Sequence, residues 1–223
     1  MIVLLLLSRR SSTVTLRLGR DLSVDQHTIS MQQPSKLSVQ LRLGRRNGRM
    51  PTMDAESPIV VKDENPCDRE QVREVNEAAF GRSDEADLID RLRVDGTVLL
   101  SLVAEFDGQI IGHILFSRMT VETVHGSVAA VSLAPMAVLP DHQGRKVGDR
   151  LVRIGLSRLR DRGERIVLVL GHEHYYPRFG FSSELARCLV SPFPPEAFMA
   201  LELSEGALAG VHGAVQYSPA FGL

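Results

Sequence analysis

The stretch Val138-Leu139-Pro140-Asp141-His142-Gln143-Gly144-Arg145-Lys146-Val147-Gly148 decides the reading of this chain. Ahead of it, Val128 to Val138 reads as a strand, and Pro140 ends that strand because it cannot donate to a ladder. Behind it, Val147, Leu151, Ile154 (or Gly155) and Leu159 recur at helical spacing, with Arg150, Arg153, Arg158 and Arg160 mostly on the opposite, solvent side. A strand that ends in a Gly-containing loop and opens a helix presents unpaired backbone N–H groups to one point. The positive end of the helix dipole lies there too, so the junction suits a phosphate. Gly144 and Gly148 permit close approach. The loop is not a Walker loop, since no Gly-Lys-Ser/Thr follows. It is not a dinucleotide fingerprint either, since Gly-x-Gly-x-x-Gly is absent.

Working outward, Ile59-Val60-Val61 reads as a short strand. Asp68 with Gln71 reads as a capping box before a helix carrying Val72, Val75 and Ala79. Ser83 caps a second helix with Leu88, Ile89 and Leu92 on one face, ended near Gly96. Val98 to Phe106 and Ile110 to Phe116 form a hairpin about Asp107-Gly108, and a second pairing turns at His125-Gly126. Gly163 ends the helix after the loop, and Ile166 to Leu170 is a continuous apolar run of buried-strand type. Met199–Leu203 and Ala214–Tyr217 are the strands expected near the C-terminus. This order implies an α/β (α+β) domain, a mixed sheet with helices on both faces.

The chain has 223 residues, 43% hydrophobic and 24% charged, as expected of one globular domain with an extension. Its net charge of −1 conceals an asymmetry. Residues 1–50 hold nine Lys/Arg against Asp21 and Asp25, a net +7, whereas residues 51–223 hold 17 basic and 25 acidic side chains, a net −8. We expect residues 1–57 to be a basic, weakly ordered extension, or the product of a start codon placed too early, since Met50 and Met53 stand just before the change. Residues 58–223 are expected to be the domain. The acidic domain gives no reason to expect nucleic acid, and no apolar run approaches the ~20 residues that cross a bilayer. Cys67 and Cys188 form no CxxC or Cys/His cluster, so no metal is expected and a reducing, cytoplasmic compartment is the default.

The loop resembles motif A of the GNAT superfamily of N-acetyltransferases, written Gln/Arg-x-x-Gly-x-Gly/Ala after Val-x-Pro. Gln143, Gly148 and Val138-x-Pro140 match it, while Lys146 stands where the middle glycine normally lies. A second run, Tyr175-Tyr176-Pro177-Arg178-Phe179-Gly180-Phe181, resembles the family's Tyr-x-x-x-Gly-Phe segment with Tyr176 in the tyrosine position. Met199–Leu203 and Tyr217-Ser218-Pro219-Ala220-Phe221 are similar to the YhbS-type branch. The resemblance implies a mostly antiparallel sheet with a splayed strand pair and acetyl-CoA lying in the gap. Met136, Ala137, Val138, Gln143, Gly144, Arg145, Lys146, Val147 and Gly148 would then bind the cofactor, and Tyr176 would protonate the departing thiolate. It implies acetyl transfer to a primary amine by direct attack in a ternary complex. A catalytically silent acyl-CoA-binding domain is the competing expectation, prompted by Lys146. A second prompt is the missing carboxylate in Ser132-Leu133-Ala134-Pro135-Met136, where many relatives carry a Glu. Glu85, Asp87, Glu105, His172, Glu173 and His174 are the alternative candidates for a base. Exposed sheet edges in this fold also allow a homodimer.

Overall fold

A computed structural model describes residues 59–223. The expected 1–57 extension therefore lies outside the described residues. Strand β1 (Val60–Asp63) leads to helices α1 (Arg69–Phe80) and α2 (Asp84–Val94), followed by β2 (Val98–Phe106), β3 (Gln109–Thr123) and β4 (Gly126–Val138). Helix α3 (Val147–Asp161), strand β5 (Ile166–Leu170) and the short α4 (Ser183–Ala186) come next. Strands β6 (Leu189–Val190), β7 (Phe198–Glu202) and β8 (Gly213–Gln216) complete the order.

The sheet runs β1-β2-β3-β4-β5-β7, with β8 paired to the outer part of β3 and β6 paired to β8. All pairings are antiparallel except β4–β5 and β6–β8. The mixed, mostly antiparallel architecture read from the sequence is therefore the one observed. α3 packs on one face, where Leu151, Val152 and Leu159 join Phe116, Val131 and Val169 in the core. α1 and α2 pack on the other face through Val72, Val75, Leu88 and Leu92 against Val103, Leu115 and Ala137. Gly155 is buried at the contact of α3 with the sheet, and Ile154 packs beside it, partly buried. A Cβ on Gly155 would lie 2.4 Å from Phe116 Cε2, so the ring occupies the space a side chain would need.

Two local expectations change. β3 continues to Thr123, well past Phe116, because β8 takes over its free edge at Thr120–Thr123 after β2 has ended. The Asp68–Gln71 capping box is not formed. Asp68 instead accepts from the Asn65 N–H (2.9 Å), and Gln71 Oε1 accepts from the Ile110 N–H (3.1 Å), tying α1 to β3. Among the described residues, no helix is long and apolar enough to cross a membrane.

Candidate active site

The site begins where β4 leaves β5. Those strands are in register only from Val131–Leu133 against Val167–Val169. Beyond that point, Met136, Ala137 and Val138 pair with Ile114, His113 and Gly112 on the β3 side alone. A register shift lies at the divergence, where Ile114 faces Met136 but Phe116 faces Leu133. There Ala134 and Pro135 stand against Leu115 alone, Pro135 has no N–H to offer, and a bulge of this kind bends a strand. β5 meanwhile stays with β7, and the Gly171 N–H donates to the Ala197 carbonyl (2.9 Å). The two parallel strands therefore open into a gap.

The loop after β4 closes one end of that gap. A single 3-10 turn at Pro140–His142 is followed by Gln143, whose Nε2 donates back to the Val138 carbonyl (3.0 Å). Gly144 (φ 76°) and Lys146 (φ 63°, ψ 17°) are both left-handed, and α3 starts at Val147. The first helical bond from this turn is the Arg150 N–H to the Lys146 carbonyl (3.1 Å). Among the described residues, the N–H groups of residues 144–149 find no acceptor within the fold. That is the anion-binding geometry expected of a strand–loop–helix junction.

A cavity of about 560 Å³ joins the loop to the gap. Eight of the nine expected cofactor-binding residues line it: Met136, Ala137, Val138, Gln143, Gly144, Lys146, Val147 and Gly148. Arg145 is exposed and is not among the lining residues. Tyr176 does not line the cavity either. Its ring is enclosed at 1% exposure against Gly171, where a Cβ would come within 2.2 Å of Tyr176 Cε2, and it stands edge-on to Phe181. The cavity tyrosine is its neighbour, Tyr175. Tyr176 opens a 3-10 turn through Phe179 after Tyr175, so successive side chains diverge: one enters the core and the other the gap.

Tyr175 is held firmly. Its hydroxyl donates to Asp149 Oδ1 (3.1 Å), and the Arg178 guanidinium lies 4.6 Å above its ring. Arg178 Nη1 is also 3.7 Å from Asp149 Oδ1. A Cβ on Gly148 would come within 2.8 Å of the Tyr175 hydroxyl, which gives a packing reason for glycine at that motif position. Burial first, and then the Asp149 charge, push the Tyr175 phenol well above its ordinary range. Burial first, and then the neighbouring Tyr175, do the same to Tyr176, so both tyrosines stay protonated at neutral pH.

Of the candidate bases, His172 and His174 line the cavity. Glu85 is bound by Arg82, Asp87 by Arg73 and Glu105 by Lys62, and none of these carboxylates reaches the cavity. Sequence reasoning missed Asp149, Arg178 and Phe80 as wall residues. The Tyr175-x-x-Arg178 spacing and an acid in the first turn of α3 were the available signals for the first two. Phe80 carried none, because its place depends on how α1 packs on the sheet. Among the described residues, no group of three or more His, Cys, Asp or Glu could hold a metal ion.

Residues 61–183 match the family described as acetyltransferase (GNAT) domain. The chain belongs to the GNAT acetyltransferase family. It is 34% identical to the uncharacterized N-acetyltransferase YhbS of Escherichia coli over 166 residues, covering 73% of this chain and 98% of YhbS. It is 47% identical over 116 residues to the uncharacterized N-acetyltransferase YjhQ of Escherichia coli, covering 51% of this chain and 64% of YjhQ. The crystal structure of YhbS in complex with CoA superposes with a TM-score of 0.71 at 32% identity, covering 78% of this chain and 97% of YhbS. A GNAT acetyltransferase from Brucella melitensis in complex with acetyl-CoA superposes with a TM-score of 0.63 at 34% identity, covering 74% and 99%.

Proposed function

We propose that this GNAT domain moves an acetyl group from acetyl-CoA to a primary amine by direct attack within a ternary complex. The observation that carries the reading is one continuous cavity. It runs from the unpaired N–H groups at the start of α3 into the gap between β4 and β5. Pyrophosphate would occupy the loop end, aided by Lys146. The pantetheine arm would lie along Met136–Val138, whose outer edge has no β5 partner and is free to bond an extended chain.

The acceptor attacks as a neutral amine, although a free lysine-type amine has a pKa of about 10.4, so a proton must leave. The amine nitrogen forms a bond to the thioester carbonyl carbon, the C–S bond then breaks, and the sulfur takes up a proton. His172 and His174 are the cavity imidazoles placed to accept the amine proton, directly or through water. A tyrosine of the adjacent pair supplies the thiolate's proton. Exposure to the cavity favours Tyr175; the motif spacing favours Tyr176, whose phenol is not committed to a carboxylate. Two exposed, unpaired cysteines, Cys67 and Cys188, suit a reducing, cytoplasmic setting.

The test is thiol release from acetyl-CoA across a panel of amines. We expect CoA to appear with at least one amine and acetyl-CoA to raise the melting temperature. Binding without release across the panel would favour the silent alternative, and no thermal shift would sink both readings. Tyr175→Phe and Tyr176→Phe assign the acid. Loss of a general acid costs roughly 10²–10⁴-fold in rate, and the variant that keeps full turnover is excluded from the role.

A further inference from the structure

Behind the cavity wall lies a buried polar chain that acetyl transfer does not use. His113 on β3 is 0% exposed, and its cross-strand partner Ala137 is a wall residue of the cavity. His113 Nε2 is 2.9 Å from Ser101 Oγ on β2, and Nδ1 is 3.2 Å from Asn76 Nδ2 on α1. Ser101 Oγ donates to Glu64, which also pairs with Arg93 of α2. These contacts fix the tautomer. Ser101 has one proton, and it goes to Glu64, so the imidazole must donate through Nε2–H and accept at Nδ1. Asn76 Nδ2 supplies the second donor, while its other proton goes to the Val72 carbonyl (2.7 Å). Only the neutral imidazole satisfies every one of these bonds.

Asn76 is also 0% exposed, and among the described residues its Oδ1 has no hydrogen-bond partner. A buried unsatisfied amide oxygen costs about 1–3 kcal/mol, so its retention calls for an explanation. Asn76 lies three and four residues before Ala79 and Phe80, hence on the same side of α1, and those two residues form part of the cavity wall. The chain thus joins α1 to the sheet next to the cavity.

We propose that His113 is a positioning residue: in its neutral form it locks α1, and with it the Ala79–Phe80 wall, while protonation releases that lock. A proton on Nδ1 would meet the Asn76 NH₂ group head-on. The amide would have to turn, offering the orphan Oδ1 to Nδ1–H and giving up the bond to Val72. Burial holds the His113 pKa below its ordinary value, and the Glu64 carboxylate partly opposes this by favouring the imidazolium. Glu64 and Arg93 are the charged groups that act on the ring, and Asn76, Ser101 and Ala137 complete its neighbours on α1, β2 and β4.

The consequence for turnover rests on the acetyl-transfer reading; the lock itself does not, so the test uses hydrogen exchange. Exchange of the α1 backbone amides in the full chain is followed from about pH 7.5 to 5, below the ordinary histidine pKa of about 6.5, and corrected for intrinsic rates. We expect a rise of roughly tenfold as pH falls, the equivalent of one lost hydrogen bond. His113→Gln should abolish that pH dependence, and Glu64→Gln should move its midpoint to lower pH. A flat α1 profile in the native chain, an unchanged rise in His113→Gln, or an unmoved midpoint in Glu64→Gln overturns the proposal. Absence of CoA release at every pH would instead sink the acetyl-transfer reading and leave the exchange result standing.

Discussion

Replacing Lys146 by Gly should make the protein more stable and its cofactor binding weaker at the same time. Lys146 sits at φ 63° and ψ 17°, where an L-residue pays about 1–2 kcal/mol for the clash of Cβ with the following carbonyl. Glycine removes that strain but loses about 0.5–1 kcal/mol more backbone entropy on folding. The difference is a net gain of roughly 0.5–1 kcal/mol, or about 1–4 °C in melting temperature for a domain of this size. Affinity moves the other way, because the ammonium at the cavity mouth is lost. A charge-assisted contact is worth about 1.5–3 kcal/mol, which is roughly 10- to 100-fold in Kd. Lys146→Ala separates the two effects, since it removes the charge and keeps the left-handed strain. Thermal unfolding without ligand and calorimetric titration with acetyl-CoA at low and high salt read both quantities. A melting temperature for Lys146→Gly at or below that of Lys146→Ala would refute the strain argument. An unchanged, salt-insensitive Kd in both variants would refute the phosphate contact.

Other substitutions test the packing and the loop. Gly155→Ala should lower stability by about 1–3 kcal/mol in thermal unfolding, because its Cβ would lie 2.4 Å from Phe116 Cε2. Helix propensity alone predicts about 1 kcal/mol of stabilisation, so a rise in melting temperature would show that the ring gives way easily. Gln143→Ala removes the bond to the Val138 carbonyl and should weaken acetyl-CoA binding several-fold through loss of loop order, with about 1 kcal/mol at stake. Equal Kd values for the two proteins would contradict this. Stability should fall with acid in two stages, measured by urea unfolding against pH. His113 is held neutral in the fold, so the unfolded chain gains its proton first and stability drops below about pH 6.5. For Glu64, burial raises the pKa, but the nearby His113 ring, the hydrogen bond from Ser101 and the Arg93 charge bring it to about 2. Its contribution is therefore present above its ordinary value of 4.5 and is lost as pH falls towards 2. A His113→Gln protein with an unaltered profile between pH 7 and 5 would contradict the first stage.

The local elements were legible because each had its own period or its own breaker. The apolar run Ile166–Leu170 forms β5, Asp107-Gly108 turns the hairpin, and Val147 opens α3 behind two left-handed residues. The loop before α3 was readable for the same reason: its character lies in backbone N–H groups at a helix start, whose position follows from chain order. Whatever depends on packing between distant segments was not readable. Tyr175 and Tyr176 are adjacent and chemically identical, and only the 3-10 turn and the space beside Gly171 decide which one enters the core. Phe80 reaches the cavity because α1 lies against β3 and β4, and Asp149 matters because Tyr175 returns to it from 26 residues further on. His113 becomes the centre of a chain drawn from α1, β2, α2 and Glu64, just after β1. The sequence by itself determined the order of strands and helices and the open N–H groups at the start of α3, since both rest on interactions within a few residues. The tertiary structure alone decided which side chains face the gap and which lie buried behind it. Those choices are made by steric exclusion and hydrogen-bond satisfaction among residues that meet only once the sheet has formed.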